Sequence, residues 1–420
     1  MTFRKSDVLI LGGGAIGLAT ALQLLKSGAS VRVVEQGKVG NGASHANCGT
    51  LTPSHAIPLL VPGMLRKSLG QIFRRDAPLY ISPRPDLNRL LWLLKLAHRT
   101  SWARVERAAE ARMQLLQRST QLTAQWVREE PLDCEYAADG SLYVYRDAQS
   151  FREAEWHAEM LERLGLEVQR LNGAAVQAME PALLPGMSGG YFHPGDAHLR
   201  PDRFVDELAR RVRELGGIIE ESARIEKFHT EGKRVDAVRT HRGVYSGERL
   251  VMALGAWSPQ LAHMIGLRLP MQPGKGYSLT WTRPPRAPLR PLMLREDSVC
   301  VTSWDSGFRL GSTLEFSGYD SQLRDVRLNA IRRAAARYLR EPAGPMMREM
   351  WWGWRPMSVD QLPIIGIGKR WSNLVYATAH GMLGMSMAAA TAEIVAECCG
   401  AGGGASDIRI DAFSPRRFGL

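Results

Sequence analysis

From Asp7 to Gln36 the chain reads DVLILGGGAIGLATALQLLKSGASVRVVEQ. Val8–Leu11 is apolar without alternation, the pattern of a parallel strand covered on both faces. Gly12, Gly14 and Gly17 follow in G-x-G-x-x-G spacing. In such a turn the first glycine permits the reversal, the second admits a pyrophosphate to the backbone, and the third brings helix against strand. Ile16, Ala19, Leu22 and Leu25 predict a helix over Ala15–Ser27, closed by Gly28. Its N-terminal amides and positive dipole end would face the phosphates. A second strand, Val31–Val34, runs into Glu35. A carboxylate there accepts hydrogen bonds from ribose hydroxyls and disfavours a 2′-phosphate. A glycine turn alone is a weak signal. Strand, helix and acid at the expected distances together predict a dinucleotide-binding α/β unit.

Composition removes several other classes. The net charge of +12 could attract nucleic acid or anionic lipid. The arginines are scattered without interleaved aromatics, so no nucleic-acid partner is expected. Five cysteines show no metal-ligand spacing and fit a reducing compartment. No metal site is expected. The N-terminus enters a core strand by Val8 and resembles no leader, and no apolar run reaches the ~18 residues that span a bilayer. A cytoplasmic protein is expected, with peripheral attachment to the inner membrane left open.

The run after Glu35, GNGASHANCGT (Gly40–Thr50), is built of small residues. Such a backbone can pass close to a flat, buried ligand, whereas a nicotinamide enzyme more usually continues into another helix and strand. Here the chain resembles the FAD-dependent amine and amino-acid oxidoreductases, the group of D-amino-acid, glycine and sarcosine oxidases. Their A-S-x-x-N-x-G run is matched by Ala43, Ser44, Asn47 and Gly49. RLVMALGAWS (Arg249–Ser258) is similar to the family's strand that ends in a glycine near the cofactor. WGWRPMSVDQLPIIGIG (Trp352–Gly368) and NLVYATAHGMLGMSMAAATAEIVAE (Asn373–Glu397) are similar to its closing segments. Within the group, the bacterial D-amino-acid dehydrogenase small subunits are most similar, with D-proline and D-hydroxyproline dehydrogenases among their relatives. His45, Cys48, His55, Met382 and Met385 depart from the commonest pattern.

The resemblance implies FAD as cofactor. Its contacts would come from Gly12, Gly14, Ala15, Ile16, Gly17 and Glu35, then Gly42, Ala43, Ser44, Asn47, Gly49 and Leu51. The backbone near Ile225, Gly255 with Trp257, and the turn Gly381, Met382, Leu383, Gly384 and Met385 would complete the set. The helix starting near Gly384 would aim its amides at the negative charge that a reduced flavin carries. The implied fold is α/β: a Rossmann-like FAD-binding domain, discontinuous, with an α+β substrate domain on a large mixed or antiparallel sheet. Its boundaries are expected at 1–53, 201–258 and 355–400 for the FAD domain and 54–200 and 259–354 for the substrate domain, with 401–420 a loose tail. Arg203–Leu215 reads as a helix and Ile218–Glu221 as a strand. GSLYVYRD and GFRLGSTLEF alternate as strands do. Pro273, Gly274 and Gly276 are expected to interrupt the strand beginning at Tyr277.

Two stretches, LLVPGMLRKSLGQIFRRDAPLY and 88–127, mix arginine with leucine and tryptophan. They read either as a pair of helices on the substrate domain with a solvated basic face, or as a membrane-interface surface.

The chemistry implied is oxidation of an amino acid to its imino acid, the hydride passing from the α-carbon to flavin N5. The protein must then anchor a carboxylate. Arginine suits this, since its planar fork binds both oxygens. Arg355, in Gly-Trp-Arg-Pro, matches the family's carboxylate-binding position. Tyr277 is a second candidate, as hydroxyl donor or lid. His45 or His55 could attach covalently to the flavin, although no matching attachment motif is present. The partners expected are a small amino-acid substrate and an electron acceptor, either a quinone or a partner subunit. An oxygen-using oxidase and a flavin subunit of a hetero-oligomeric dehydrogenase remain open. D over L rests on the resemblance alone.

Overall fold

The computed structural model describes residues 4–63, 70, 72–402 and 408–420. Two large sheets organise the chain. The first has eight strands and is parallel at its centre. Its order is Ile225–Glu231, Arg234–Thr240, Gly243–Met252, Arg4–Leu11, Val31–Val34, Ile218–Glu220. Leu374–Thr378 lies beside the end of Gly243–Met252, with Ile364–Ile367 beyond it. Ile10 and Val33 enter a core with the helices Ala15–Lys26 and Gly384–Cys398, while Leu9, Leu11 and Val34 enter a second core with Phe228, Ile265 and Trp371. Both faces are covered, which is why these strands do not alternate. The predicted elements fall close to their places: helices at Ala15–Lys26 and Pro201–Glu214, strands at Val31–Val34 and Ile218–Glu220.

The second sheet has nine strands, mostly antiparallel. Its order is Met347–Ser358, Met271–Trp281, Gly307–Phe316, Val299–Trp304, Leu292–Leu294, Ser141–Tyr145, Gly189–His193, Gln169–Asn172, with Leu79–Ile81 beside Gly307–Phe316. Helix Asp325–Ala336 covers one face: Leu328 and Ile331 pack with Tyr277, Leu279, Leu292, Leu294, Val299 and Leu310. The residues between them, Gly276, Ser278, Met293, Cys300 and Gly311, fall on the opposite face by the two-residue pleat period. That face looks across a cavity toward the first sheet.

Four details differ from the sequence reading. Met271–Trp281 is one continuous strand, so Pro273, Gly274 and Gly276 do not interrupt it. Pro273 stands opposite Pro356, and the glycines make room for side chains: a methyl group on Gly274 would sit 2.7 Å from Leu314, and one on Gly276 2.4 Å from the Arg355 guanidinium. Ser141–Tyr145 is buried throughout, alternating between two cores and not between core and water. The helical stretch breaks into Leu87–His98 and Trp102–Glu129, and the longer helix packs on Gly384–Cys398 instead of the substrate sheet. Residues 64–69 and 71 of the preceding basic stretch lie outside the described residues. Finally, 408–420 is not loose: Ile408, Phe413 and Leu420 are buried, Arg417 pairs with Asp360 at 2.8 Å, and the Lys369 amide donates to the Leu420 carbonyl at 2.7 Å.

Candidate active site

The glycine turn is shaped by backbone sterics. Gly12 has φ +109°, and a methyl group there would lie 2.4 Å from the Ala253 carbonyl oxygen. A methyl group on Gly17 would lie 1.9 Å from the Gly12 carbonyl, so the helix can approach only with glycine. Gly14 caps the helix in extended conformation without a side-chain cap. The Ala15 amide donates to Ser44 Oγ at 3.0 Å, which ties the small-residue run to the helix start. The Glu35 carboxylate accepts from the Gly13 and Gly37 amides, both at 2.8 Å, and still borders the cavity. An oriented carboxylate beside free first-turn amides suits a ribose next to a pyrophosphate.

From this turn a cavity of about 800 Å³ runs between the sheets. It brings together Gly12, Gly14, Ala15, Ile16 and Glu35 with Gly42, Ala43, Ser44 and Asn47. Ile225, Gly255 and Trp257 border it, as do Gly381, Met382, Leu383, Gly384 and Met385, Arg355 and Tyr277. Gly17, Gly49 and Leu51 stand behind its wall. Gly17 serves the helix contact, Gly49 (φ +66°) lets the loop meet the Leu199 carbonyl, and Leu51 is a core residue. The start of Gly384–Cys398 has no side-chain cap and borders the cavity, leaving its amides available to an acceptor. The Trp257 ring lies over Gly42 and edge-on to Trp354, 5.5 Å between centroids. A phosphate turn, a ribose acid, a thin-walled floor and a second helix start along one cavity fit FAD. Among the described residues no cluster of three or more His, Cys, Asp or Glu is placed to hold a metal.

At the far end Arg355 is half-buried, with Nη1 donating to the Thr313 carbonyl at 2.5 Å. Burial depresses its pKa, the nearby Cys48 opposing. Its guanidinium occupies the gap left by Gly276. No carboxylate lies within ion-pairing distance of Arg355 among the described residues. Thr313 shares the wall with φ +69°, a strained conformation for a β-branched residue, and its buried Oγ1 has no partner. The sheet sets this up: the register between Met271–Trp281 and Gly307–Phe316 shifts between Lys275 and Tyr277.

Tyr277 needs correction. It borders the cavity, but its ring packs in the core under Asp325–Ala336, and its hydroxyl donates to Glu315 Oε2 at 3.0 Å. The pleat turns it away from Arg355, which Gly276 faces. His45 is not in the cavity; it pairs with Glu349 at 2.8 Å. His55 and His380 are in its wall. Burial, joined at His55 by Arg295, pushes both pKa values down to about 3. His380 Nε2 is taken by Thr391 Oγ1 at 3.0 Å. Cys48 and Cys300 share a hydrogen bond under the small-residue run, which lowers the Cys48 pKa and raises that of Cys300. Gly311 makes room for the Cys48 sulfur.

Sequence reasoning missed Thr313, Cys300 and Arg295, all in the wall. The signal was present for Arg295: Leu292 and Leu294 face the core, so Met293 and Arg295 face away.

Residues 7–398 match the family of FAD dependent oxidoreductases called DAO. The chain is 30% identical over 397 residues to a D-amino acid dehydrogenase of Agrobacterium fabrum, covering 93% of this chain and 95% of that one. It is 29% identical over 417 residues to a D-amino acid dehydrogenase of Neisseria meningitidis, covering 98% and 99%. In fold it is similar to glycine oxidase from Geobacillus kaustophilus, with TM-score 0.78, 21% identity and 98% of each chain covered. It is also similar to L-proline dehydrogenase from P. horikoshii, with TM-score 0.74, 18% identity and 99% and 98% covered. With the dinucleotide turn, the small-residue floor and the Gly-Trp-Arg-Pro arginine gathered on one cavity, the chain belongs to the DAO family of FAD-dependent oxidoreductases.

Proposed function

We propose that the protein oxidises a D-amino acid to its imino acid and passes the electrons to an acceptor other than oxygen. The observation that carries this reading is Arg355: a half-buried guanidinium in the cavity wall, fixed by Thr313 and Gly276, with no acidic partner among the described residues. A half-buried charge with no counter-ion is unfavourable, and a substrate carboxylate would offset that. FAD, when bound, supplies the hydride acceptor. Arg355 holds the carboxylate with its fork and so fixes where the α-carbon stands. His55 and His380, held neutral by burial, are poor bases near pH 7, so the chain contributes position and charge in place of proton transfer. The amine then binds unprotonated. The imino acid hydrolyses to a 2-oxo acid and ammonia, while a cyclic amine such as D-proline or D-hydroxyproline gives a cyclic imine. The D configuration is supported by the two dehydrogenases of similar sequence.

An acceptor in or at the membrane, a quinone or a partner subunit, is supported by one surface. Helix Leu87–His98 buries Trp92 and Leu96 but exposes Leu87, Leu90, Leu91 and Leu94, near the exposed Trp102. Lys95, Arg99 and Arg104 accompany them. Exposed leucines and tryptophan with arginine suit a membrane interface. No helix among the described residues is long and apolar enough to cross a membrane. An oxygen-using oxidase is the second reading, since glycine oxidase shares the fold.

An anaerobic titration decides between these readings. D-alanine, D-proline, D-hydroxyproline and their L-isomers are added in turn while the flavin band is followed. Bleaching by D-isomers, with slow recovery in air and fast recovery with a quinone, is expected. Bleaching by L-isomers alone, or fast recovery in air, would overturn the corresponding part. Salt-sensitive binding to anionic vesicles tests the surface, and absence of binding at low salt removes it.

A further inference from the structure

Arg355 is not the only guanidinium on the cavity. Arg295 follows the strand Leu292–Leu294 and lines the same space. The pleat sends Leu292 and Leu294 into the core under Asp325–Ala336, leaving Met293 and Arg295 on the cavity side. The guanidinium lies over the Tyr143 ring, 5.1 Å from its centroid, and hydrogen-bonds to the Tyr145 hydroxyl. No carboxylate is within ion-pairing distance of it among the described residues. Its neighbour Glu296 is committed elsewhere: its oxygens accept from the Arg146 amide at 2.8 Å, the Asp147 amide at 3.0 Å and the Tyr338 hydroxyl.

Glu296 borders the cavity beside Arg295, and the groups packed behind this part of the wall are polar. The Tyr143 hydroxyl is 3.2 Å from His55 Nδ1 and 2.9 Å from Ser54 Oγ. The His193 ring meets Tyr143 edge-on at 4.5 Å, and both of its nitrogens are buried without a partner. Burial first, and Arg295 second, hold His55 and His193 neutral. Arg112 donates to the His55 carbonyl at 2.7 Å, adding a second buried cation. Asp196 is the acid of the region, but Ser54 and Ser141 cover it and burial raises its pKa to about 6. A half-buried cation on a cavity wall, with no carboxylate paired to it, suits an anion.

The register sets the spacing. Arg355 bonds the Thr313 carbonyl. Ser312 pairs with Val299, and Val299 with Leu294. The Arg295 backbone therefore lies two strands from the point where Arg355 ends, about 10 Å at ~4.8 Å per strand, and its guanidinium leans over Tyr143 on the next strand. A molecule with a carboxylate at each end can engage both arginines, whereas a single carboxylate engages Arg355 alone.

We propose that Arg295 anchors a second carboxylate, so that the substrate class is an amino acid bearing an acidic side chain. This rests on Arg355 as the anchor of the α-carboxylate. The test uses the flavin-loaded full chain. Two redox-inert acids, glutarate and butyrate, are titrated by their perturbation of the flavin spectrum. D-glutamate and its neutral counterpart D-glutamine are compared by anaerobic bleaching. Glutarate is expected to bind at least tenfold tighter than butyrate, and D-glutamate to bleach at least tenfold more efficiently than D-glutamine. Both ratios should fall to near one in Arg295→Met with flavin still bound. Equal ratios in the wild-type chain, or a preference that survives Arg295→Met, overturn the proposal. If Arg295→Met fails to hold flavin, Arg295→Lys decides: a retained glutarate preference supports the anchor, and a lost one with flavin bound overturns it. If no amino acid bleaches the flavin, the amino-acid reading falls, while the glutarate–butyrate comparison still judges the anchor.

Discussion

The two ends of the cavity both depend on glycine, for different reasons. At the nucleotide end Gly12 and Gly17 are needed because backbone meets backbone, and Gly12 also takes a positive φ. At the substrate end Gly276, at the register shift of its strand, and Gly311 leave space for the Arg355 guanidinium and the Cys48 sulfur. The first kind fixes a local shape that any relative of the turn must share. The second kind fixes a long-range fit between strands that are distant in sequence. A rigid carbonyl cannot yield to a new methyl group, whereas the end of a flexible side chain can. The two ends should therefore break differently.

Gly17→Val gives the largest effect, because its side chain would overlap the Gly12 carbonyl 1.9 Å from the methyl position. Flavin-free, unfolded or aggregated protein is expected, read by absorbance and circular dichroism. A yellow, folded variant would erase the contrast. Arg355→Ala comes next. It should keep flavin and lose about 2–4 kcal/mol of kcat/KM, roughly a hundredfold, read in steady-state kinetics with an artificial acceptor. Gly276→Ala pushes the guanidinium aside without touching backbone. A rise in KM of about tenfold, near 1.4 kcal/mol, is expected with thermal stability almost unchanged. A collapse in stability instead would show that this glycine behaves like Gly17.

Tyr277→Phe sharpens the same contrast from the other side of the sheet. It removes the bond to buried Glu315 and should cost about 1–3 kcal/mol of stability with KM unmoved. A rise in KM would return Tyr277 to the site. The smallest effect belongs to His45 and Glu349. Their hydrogen bond raises the His45 pKa and lowers that of Glu349. The histidine's share of stability is full below its ordinary 6.5 and fades as pH rises through its raised value. The glutamate's share is full above 4.5 and fades as pH falls through its lowered value. The pair is about one-third exposed, so screening holds it under about 1 kcal/mol. The stability gap between wild type and His45→Gln should therefore peak between those limits and shrink toward pH 9; a gap independent of pH would remove the ion pair.

Much of the nucleotide end was legible, because its signals are contiguous. Strand, turn, helix and acid lie within thirty residues, and each obeys a local rule. Pro273, Gly274 and Gly276 misled for the opposite reason. Read along the chain they are breakers; read across the sheet they are fits to Pro356, Leu314 and Arg355. Tyr277 was misplaced by one pleat step: every second residue of that strand faces Asp325–Ala336, and nothing in the local sequence says which half. The tail was read as loose from its glycines, yet Phe413 and Leu420 find apolar partners supplied by segments far away in sequence.

By itself the sequence determined the dinucleotide unit, the family resemblance with its FAD, and the arginine of the Gly-Trp-Arg-Pro motif, since each rests on short-range spacing or matched motifs. Only the tertiary structure decided which face of the substrate sheet meets the cavity. It also decided that the Tyr277 ring packs in the core, that Thr313 holds Arg355, and that Arg295 looks into the same space without an ion pair. Those outcomes depend on strand register, in which a shift of one residue exchanges core for cavity.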